Sequence, residues 1–146
     1  MTASSALENV FSLALWLAGA ASFCVLGAGT QVPLRFGWKQ ELSRLSPINR
    51  KLMWVYYGFI GTTIVAFGVL TLVYHDDMLR GDRVALGLAA FMGIWWTARV
   101  SVDGLVFRHS DWPHGRQFLV GHVLLTTTFV AMAAVYLGLV AWRLAS

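Results

Sequence analysis

Arg99 and Asp103 lie inside a segment, Val84–Phe107, whose other residues are composed for lipid. A charge at mid-bilayer costs roughly 2.5–3.5 kcal/mol on insertion scales, so such residues belong against protein or a wet cavity, with a partner. Residues four apart share one face of a helix, so each supplies the other's partner. Trp95 precedes Arg99 by one turn on that face, and His122 lies within the next apolar run. His122, Arg99 and Asp103 are therefore the candidate catalytic residues. Tyr57, Trp95, Trp96 and Gln31 are the candidate cofactor-binding residues, polar and aromatic groups at comparable depth, with Tyr56 and Trp54 nearby.

This residue set narrows the chemistry. Bis-histidine haem needs two facing intramembrane histidines, and only His122 is deep; single axial ligation by His122 with a propionate near Arg99 remains open. A metal cluster would need more histidines or carboxylates than the apolar segments offer. Thr126, Thr127 and Thr128 have no base at catalytic spacing and read as interhelical hydrogen-bonding groups. A quinone or isoprenoid pocket asks for an apolar tunnel and one or two donors at carbonyl depth, a demand met by His122, Arg99 and Tyr57. The competing reading is structural. In it Arg99 and Asp103 lock two helices together, or Arg99 snorkels to the headgroups, and His122 is a satisfied core histidine.

The elements that must position these groups are legible from composition. The chain has 146 residues, 58% hydrophobic and only 12% charged, against about 25% charged in soluble domains. Four apolar stretches, Leu7–Gly29, Ile48–Tyr74, Val84–Phe107 and Gln117–Leu144, each reach the ~20 residues a span requires. Continuous apolar runs exclude alternating barrel strands, and only helices or closed barrels satisfy the backbone in hydrocarbon. The expectation is an all-α integral membrane four-helix bundle forming a single transmembrane domain over residues 1–146. The first stretch does not read as a cleaved signal, because Met1–Val10 has no Lys or Arg and contains Glu8. Cys24, the only cysteine, excludes an intrachain disulfide and reads as a small residue buried in helix packing.

The net charge of +4 does not indicate nucleic acid; it sets topology. Arg35, Lys39, Arg44, Arg50 and Lys51 fall in or beside the first connection, and Arg108 and Arg116 in the third. In the second, Arg80 and Arg83 are offset by Asp76, Asp77 and Asp82. By the positive-inside rule, connections one and three face the cytoplasm and both termini face outward. Trp38, Leu42 and Leu45 follow helical spacing after Gly37 and predict a short interfacial helix. Ser46-Pro47 predicts an N-cap and a first-turn proline. His109, Trp112, Pro113 and His114 read as a rigid interfacial turn, and His75 as a loop residue.

Small residues at four-residue intervals predict where helices approach. Ala85, Ala89, Gly93, Thr97 and Ser101 form one ridge. Ala14, Ala18 and Ser22 form another, with Gly19 and Gly27 nearby, and Ala134 and Gly138 lie in line with His122 and Thr126. Such stripes suit a tight bundle or a contact in a homo-oligomer. By depth, all four helices contribute polar atoms to one layer near the cytoplasmic surface, with much less on the outer side.

Leu15-Trp16-Leu17-Ala18-Gly19, followed after the helix by Pro33-Leu34-Arg35, resembles the small membrane group of CopD-like and HemJ-type bacterial proteins. The pattern also resembles that of four-span bacterial proteins of unassigned activity. The resemblance implies a bacterial inner membrane and a first-helix histidine linked to haem or metal; this chain has no histidine there. Three function classes follow. The first is binding of a lipophilic small molecule or cofactor (quinone, haem or isoprenoid) near the cytoplasmic leaflet, with redox or isomerisation chemistry as an extension. The second is an accessory subunit of a larger membrane complex without chemistry of its own. The third is a small oligomeric transporter, disfavoured because Asp103 is already matched by Arg99.

Overall fold

A computed structural model describes residues 3–106 and 115–145. Every element among them is helical. Four long helices, α1 (Ala3–Thr30), α4 (Pro47–Val73), α6 (Arg83–Val106) and α7 (Arg116–Ala145), are long and apolar enough to cross a membrane. Short helices α2 (Val32–Arg35) and α3 (Trp38–Glu41) and a 3-10 turn (Leu42–Arg44) lie between α1 and α4, and α5 (His75–Arg80) lies between α4 and α6. The four-helix reading holds, with ends shifted by a few residues. The third connection falls largely outside the described residues, and with it Arg108, His109, Trp112, Pro113 and His114.

The break after α1 has a local cause. Pro33 carries no N–H for the carbonyl four residues back, so a continuous helix would leave the Gly29 carbonyl without its bond. Tyr57 supplies the missing donor from α4, its hydroxyl donating to Gly29 O at 2.9 Å. Trp38 and Trp54 pack edge-on against Tyr57 and against each other. Leu42 is buried, so the expected amphipathic segment is present and folds back on the first hairpin. Ser46 occupies the N-cap position of α4 with Pro47 in the first turn, yet its hydroxyl makes no capping bond. The extended backbone that the following proline imposes accounts for the boundary instead.

The second connection is a designed turn, not the loop expected around His75. α5 ends at Gly81, whose φ of +80° is accessible to glycine without strain. Asp82 N–H donates back to Asp77 O at 3.0 Å, closing a Schellman-type stop. Asp82 then caps α6: its Oδ1 accepts from the backbone N–H of Val84 at 2.9 Å and of Ala85 at 3.2 Å.

Packing follows the small residues where helices approach most closely. α1 pairs with α4 and α6 with α7, and α1 also touches α7. At Gly93 an added Cβ would lie 2.7 Å from the Leu137 side chain, so the α6 backbone presses on α7 there. Gly68 faces Ser22 and Phe23 in the same manner, and Gly19 faces Leu72. Ala85, Ala89 and Gly93 are buried, but Thr97 and Ser101, the end of that ridge, are exposed; Ala134 is exposed as well. The lone Cys24 is exposed on the outside of α1, which corrects the expectation of a buried cysteine. The core is built from Leu15, Phe67, Met78, Met92, Trp96, Met132, Tyr136 and Leu139. Large apolar side chains such as Leu17, Phe59, Ile94 and Leu124 cover the exterior, the surface a bilayer solvates and water does not.

Candidate functional site

Asp103 is the centre of the polar cluster. It sits one turn before the end of α6 with a side chain only 6% exposed. Three groups converge on its carboxylate. Arg99 Nη1 lies 3.6 Å from Oδ1. His122 Nε2, on α7, lies 3.6 Å from Oδ2. Thr126 donates its hydroxyl to Oδ2 at 2.9 Å. A buried carboxylate persists only when paired and hydrogen-bonded, and this one draws partners from both helices of the hairpin. Thr126 is thus interhelical, as expected, whereas Thr128 donates back to Leu124 O within its own helix.

The cluster has an aromatic floor. The Arg99 guanidinium lies over Phe129, Cζ 5.2 Å from the ring centroid, a favourable cation–π placement that holds the side chain against the bundle. Trp96 stacks on the same Phe129 at 5.1 Å and 24°. Trp95 meets Trp96 edge-on at 4.8 Å, and Phe67 of α4 packs against both. The carboxylate is sealed, but Arg99 and His122 retain side-chain exposures of 37% and 31%. Two cationic or proton-bearing groups therefore reach the flank of the bundle at one depth, pinned to a buried acid.

The other two expected contributors are engaged in the first hairpin. Tyr57 donates to Gly29 O and belongs to the Trp38–Trp54 aromatic corner. Gln31 is exposed, and its Oε1 accepts from Arg35 Nε at 3.1 Å. His122, Arg99, Asp103, Trp95 and Trp96 come together, while Tyr57 and Gln31 make their bonds at the α1–α4 end.

The opposite half of the bundle is richer in polar contacts than its sequence suggests. Thr71 donates to Phe67 O at 2.7 Å and its Oγ1 lies 2.6 Å from the Tyr136 hydroxyl. Because the threonine proton is already committed, Tyr136 is the donor in that pair. The bond ties α4 to α7 in a fully buried setting, with Met92 sulfur 3.6 Å from Thr71 Oγ1. His75 is also buried. Its Nδ1 lies 2.8 Å from Asp76 Oδ1, and its Nε2 lies 3.2 Å from both the hydroxyl and the carbonyl oxygen of Ser12 on α1. Trp16 covers the ring. Tyr136 and Thr71 carry a sequence signal of their own, polar residues within long apolar runs; His75 had none, because only the turn of α5 carries it back to α1.

Among the described residues, no group of three or more histidines, cysteines or acids is placed to hold a metal ion. Comparison with known proteins adds no relative: no family model, curated protein or solved structure matches the chain. The class defined by the fold is a multi-pass helical membrane protein with a polar cluster between its last two helices.

Proposed function

We propose that the α6–α7 cluster binds the polar head of a lipophilic ligand or cofactor, with the bundle in a bacterial inner membrane and the cluster near the cytoplasmic leaflet. The observation that carries this reading is the partial exposure of Arg99 and His122 above a buried Asp103. Hydrocarbon is a poor neighbour for a guanidinium. Arg99 does not extend freely to the headgroups either, because Asp103 and Phe129 hold it. A polar atom arriving from the membrane side would complete it. Redox or isomerisation chemistry would then use His122 for proton transfer and Arg99 to stabilise charge on an oxygen, two roles suited to an imidazole and a guanidinium.

Haem is the weaker of the ligands considered. His122 Nε2 faces the Asp103 carboxylate, 3.6 Å from Oδ2, so the ring would have to turn to offer that nitrogen to iron. An accessory-subunit role has its own supporting observation: the α6 small-residue ridge continues past the α7 contact into exposed Thr97 and Ser101, a surface on which another helix could pack. Transport gains nothing from the geometry, since Asp103 has three partners and makes a poor free proton carrier.

Purification in mild detergent, followed by an absorption spectrum and mass spectrometry of the lipid extract, separates these classes. A copurified quinone-like or isoprenoid compound, lost in His122→Ala but kept in Tyr136→Phe, supports the proposal. A Soret band selects haem. A stoichiometric second polypeptide with no small molecule selects the accessory role.

A further inference from the structure

Two buried donors on α6 make no hydrogen bond: Trp96 Nε1, and Arg99 Nη1, which lies 3.6 Å from Asp103 Oδ1 without bonding to it. Trp96 is 0% exposed, and native structures rarely leave such a donor unmet. The hydroxyls of Tyr57, Thr71 and Thr126 in the same bundle all find acceptors. Trp96 and Arg99 are three residues apart, neighbours on one helical face, and both pack against the Phe129 ring.

Resting on the reading of the α6–α7 cluster as a ligand site, we infer that its ligand presents a neutral, planar, conjugated carbonyl of the quinone class, with Trp96 Nε1 and Arg99 Nη1 as the donors to its oxygen atoms. Both unmet groups are donors, so the complementary atom is an acceptor; a hydrocarbon isoprenoid tail offers none. The Arg99 and Asp103 charges cancel, so a carboxylate or phosphate would bring an uncompensated charge into a low-dielectric setting, which is costly. A carbonyl oxygen accepts without that penalty. Trp95, half-buried and edge-on to Trp96, offers an aromatic surface that favours a flat conjugated body. A reduced, hydroxylated ring carries two protons that need acceptors, and the Asp103 carboxylate, only 6% exposed and ringed by Arg99, His122 and Thr126, is closed to them. The oxidised form is therefore bound in preference to the hydroquinone.

The test uses the full chain in lipid nanodiscs and three probes: decyl-benzoquinone, its hydroquinone and decylbenzene. Apparent affinities are read from the concentration dependence of the ligand-induced rise in Tm. The quinone is expected to bind at least tenfold more tightly than decylbenzene and more tightly than the hydroquinone. Trp96→Phe keeps a ring against Phe129 but removes the donor. It should weaken quinone binding about tenfold, the scale of one buried hydrogen bond, leave decylbenzene unchanged and leave the ligand-free Tm equal or higher. If that variant fails to fold, Arg99→Lys keeps the charge opposite Asp103 while removing the guanidinium fork, and should show the same selective loss. Equal binding of quinone and decylbenzene, or quinone affinity unchanged in the variant that folds, overturns the inference and leaves the ligand site standing. No Tm response to any probe, with no lipophilic compound in the native extract, overturns both.

Discussion

Asp103 accepts a hydrogen bond from Thr126 and faces Arg99 and His122 at 3.6 Å, which makes it the residue whose loss propagates furthest. Asp103→Asn retains the Thr126 bond but strands the Arg99 charge, and should cost about 3 kcal/mol, the low end for breaking a buried pair. Arg99→Gln leaves the buried Asp103 carboxylate to His122 and Thr126 alone and should cost a comparable amount, about 3 kcal/mol. The double variant should cost less than the sum, because neither charge is then left alone. Denaturation in mixed micelles measures all three; strictly additive losses would mean that the two residues act separately. Tyr57 belongs to a different local problem. Its hydroxyl satisfies the carbonyl that Pro33 leaves open, so Tyr57→Phe should destabilise by about 1 kcal/mol while leaving any ligand binding at the α6–α7 cluster unchanged. The Thr71–Tyr136 bond predicts an asymmetry of its own. Tyr136→Phe removes a donor and leaves Thr71 bonded to Phe67 O, whereas Thr71→Val leaves the buried tyrosine hydroxyl without that acceptor. The second change should be the more damaging, by roughly 1 kcal/mol in the same assay.

Elements in lipid are held by close approach rather than by hydrophobic burial, since the surroundings are as apolar as the side chains. The α6–α7 hairpin closes at Gly93, where an added Cβ would fall 2.7 Å from Leu137. Gly93→Ala should therefore separate the two helices and destabilise by about 1–3 kcal/mol, as overpacking does. Gly87, on the same helix, has open space at its Cβ position, and Gly87→Ala should be neutral or slightly stabilising. A thermal-stability series on the two variants distinguishes a specific contact from a general intolerance of α6. Because the Asp103 cluster spans the same hairpin, Gly93→Ala should also disturb the spacing between Asp103 and His122, weakening ligand binding where Gly87→Ala does not. At the other end, the short α5 packs Met78 and Leu79 into the core, and its ion pair between Arg80 and Asp77 stays on the outside.

For the whole molecule, the distribution of charge predicts an orientation that can be tested. The α1–α4 connection holds an excess of Lys and Arg, whereas the α4–α6 connection balances Arg80 and Arg83 against three aspartates. Under the positive-inside rule the first of these faces the cytoplasm. A reporter active only in the cytoplasm, fused at the C-terminus, should be silent. Strong activity would invert the orientation and move the Asp103 cluster to the outer leaflet, with its internal geometry unchanged.

Composition and run length alone determined the class, the number of long helices and, within a few residues, their ends, because a bilayer imposes a length and an apolar content that a linear sequence displays openly. The Arg99–Asp103 pairing was equally legible, since four-residue spacing on a helix is a local property. Tertiary structure decided what lies across from these residues. Helical periodicity carries no information on which face meets which neighbour, so the convergence of His122 and Thr126 on Asp103, the diversion of Tyr57 to Gly29 and the outward position of Cys24 emerged only when the helices packed. The burial of His75 depended on a six-residue helical turn too short to leave a periodic signature. The buried Thr71–Tyr136 bond joins residues 65 positions apart, a pairing set by the approach of α4 and α7 and by no pattern within either.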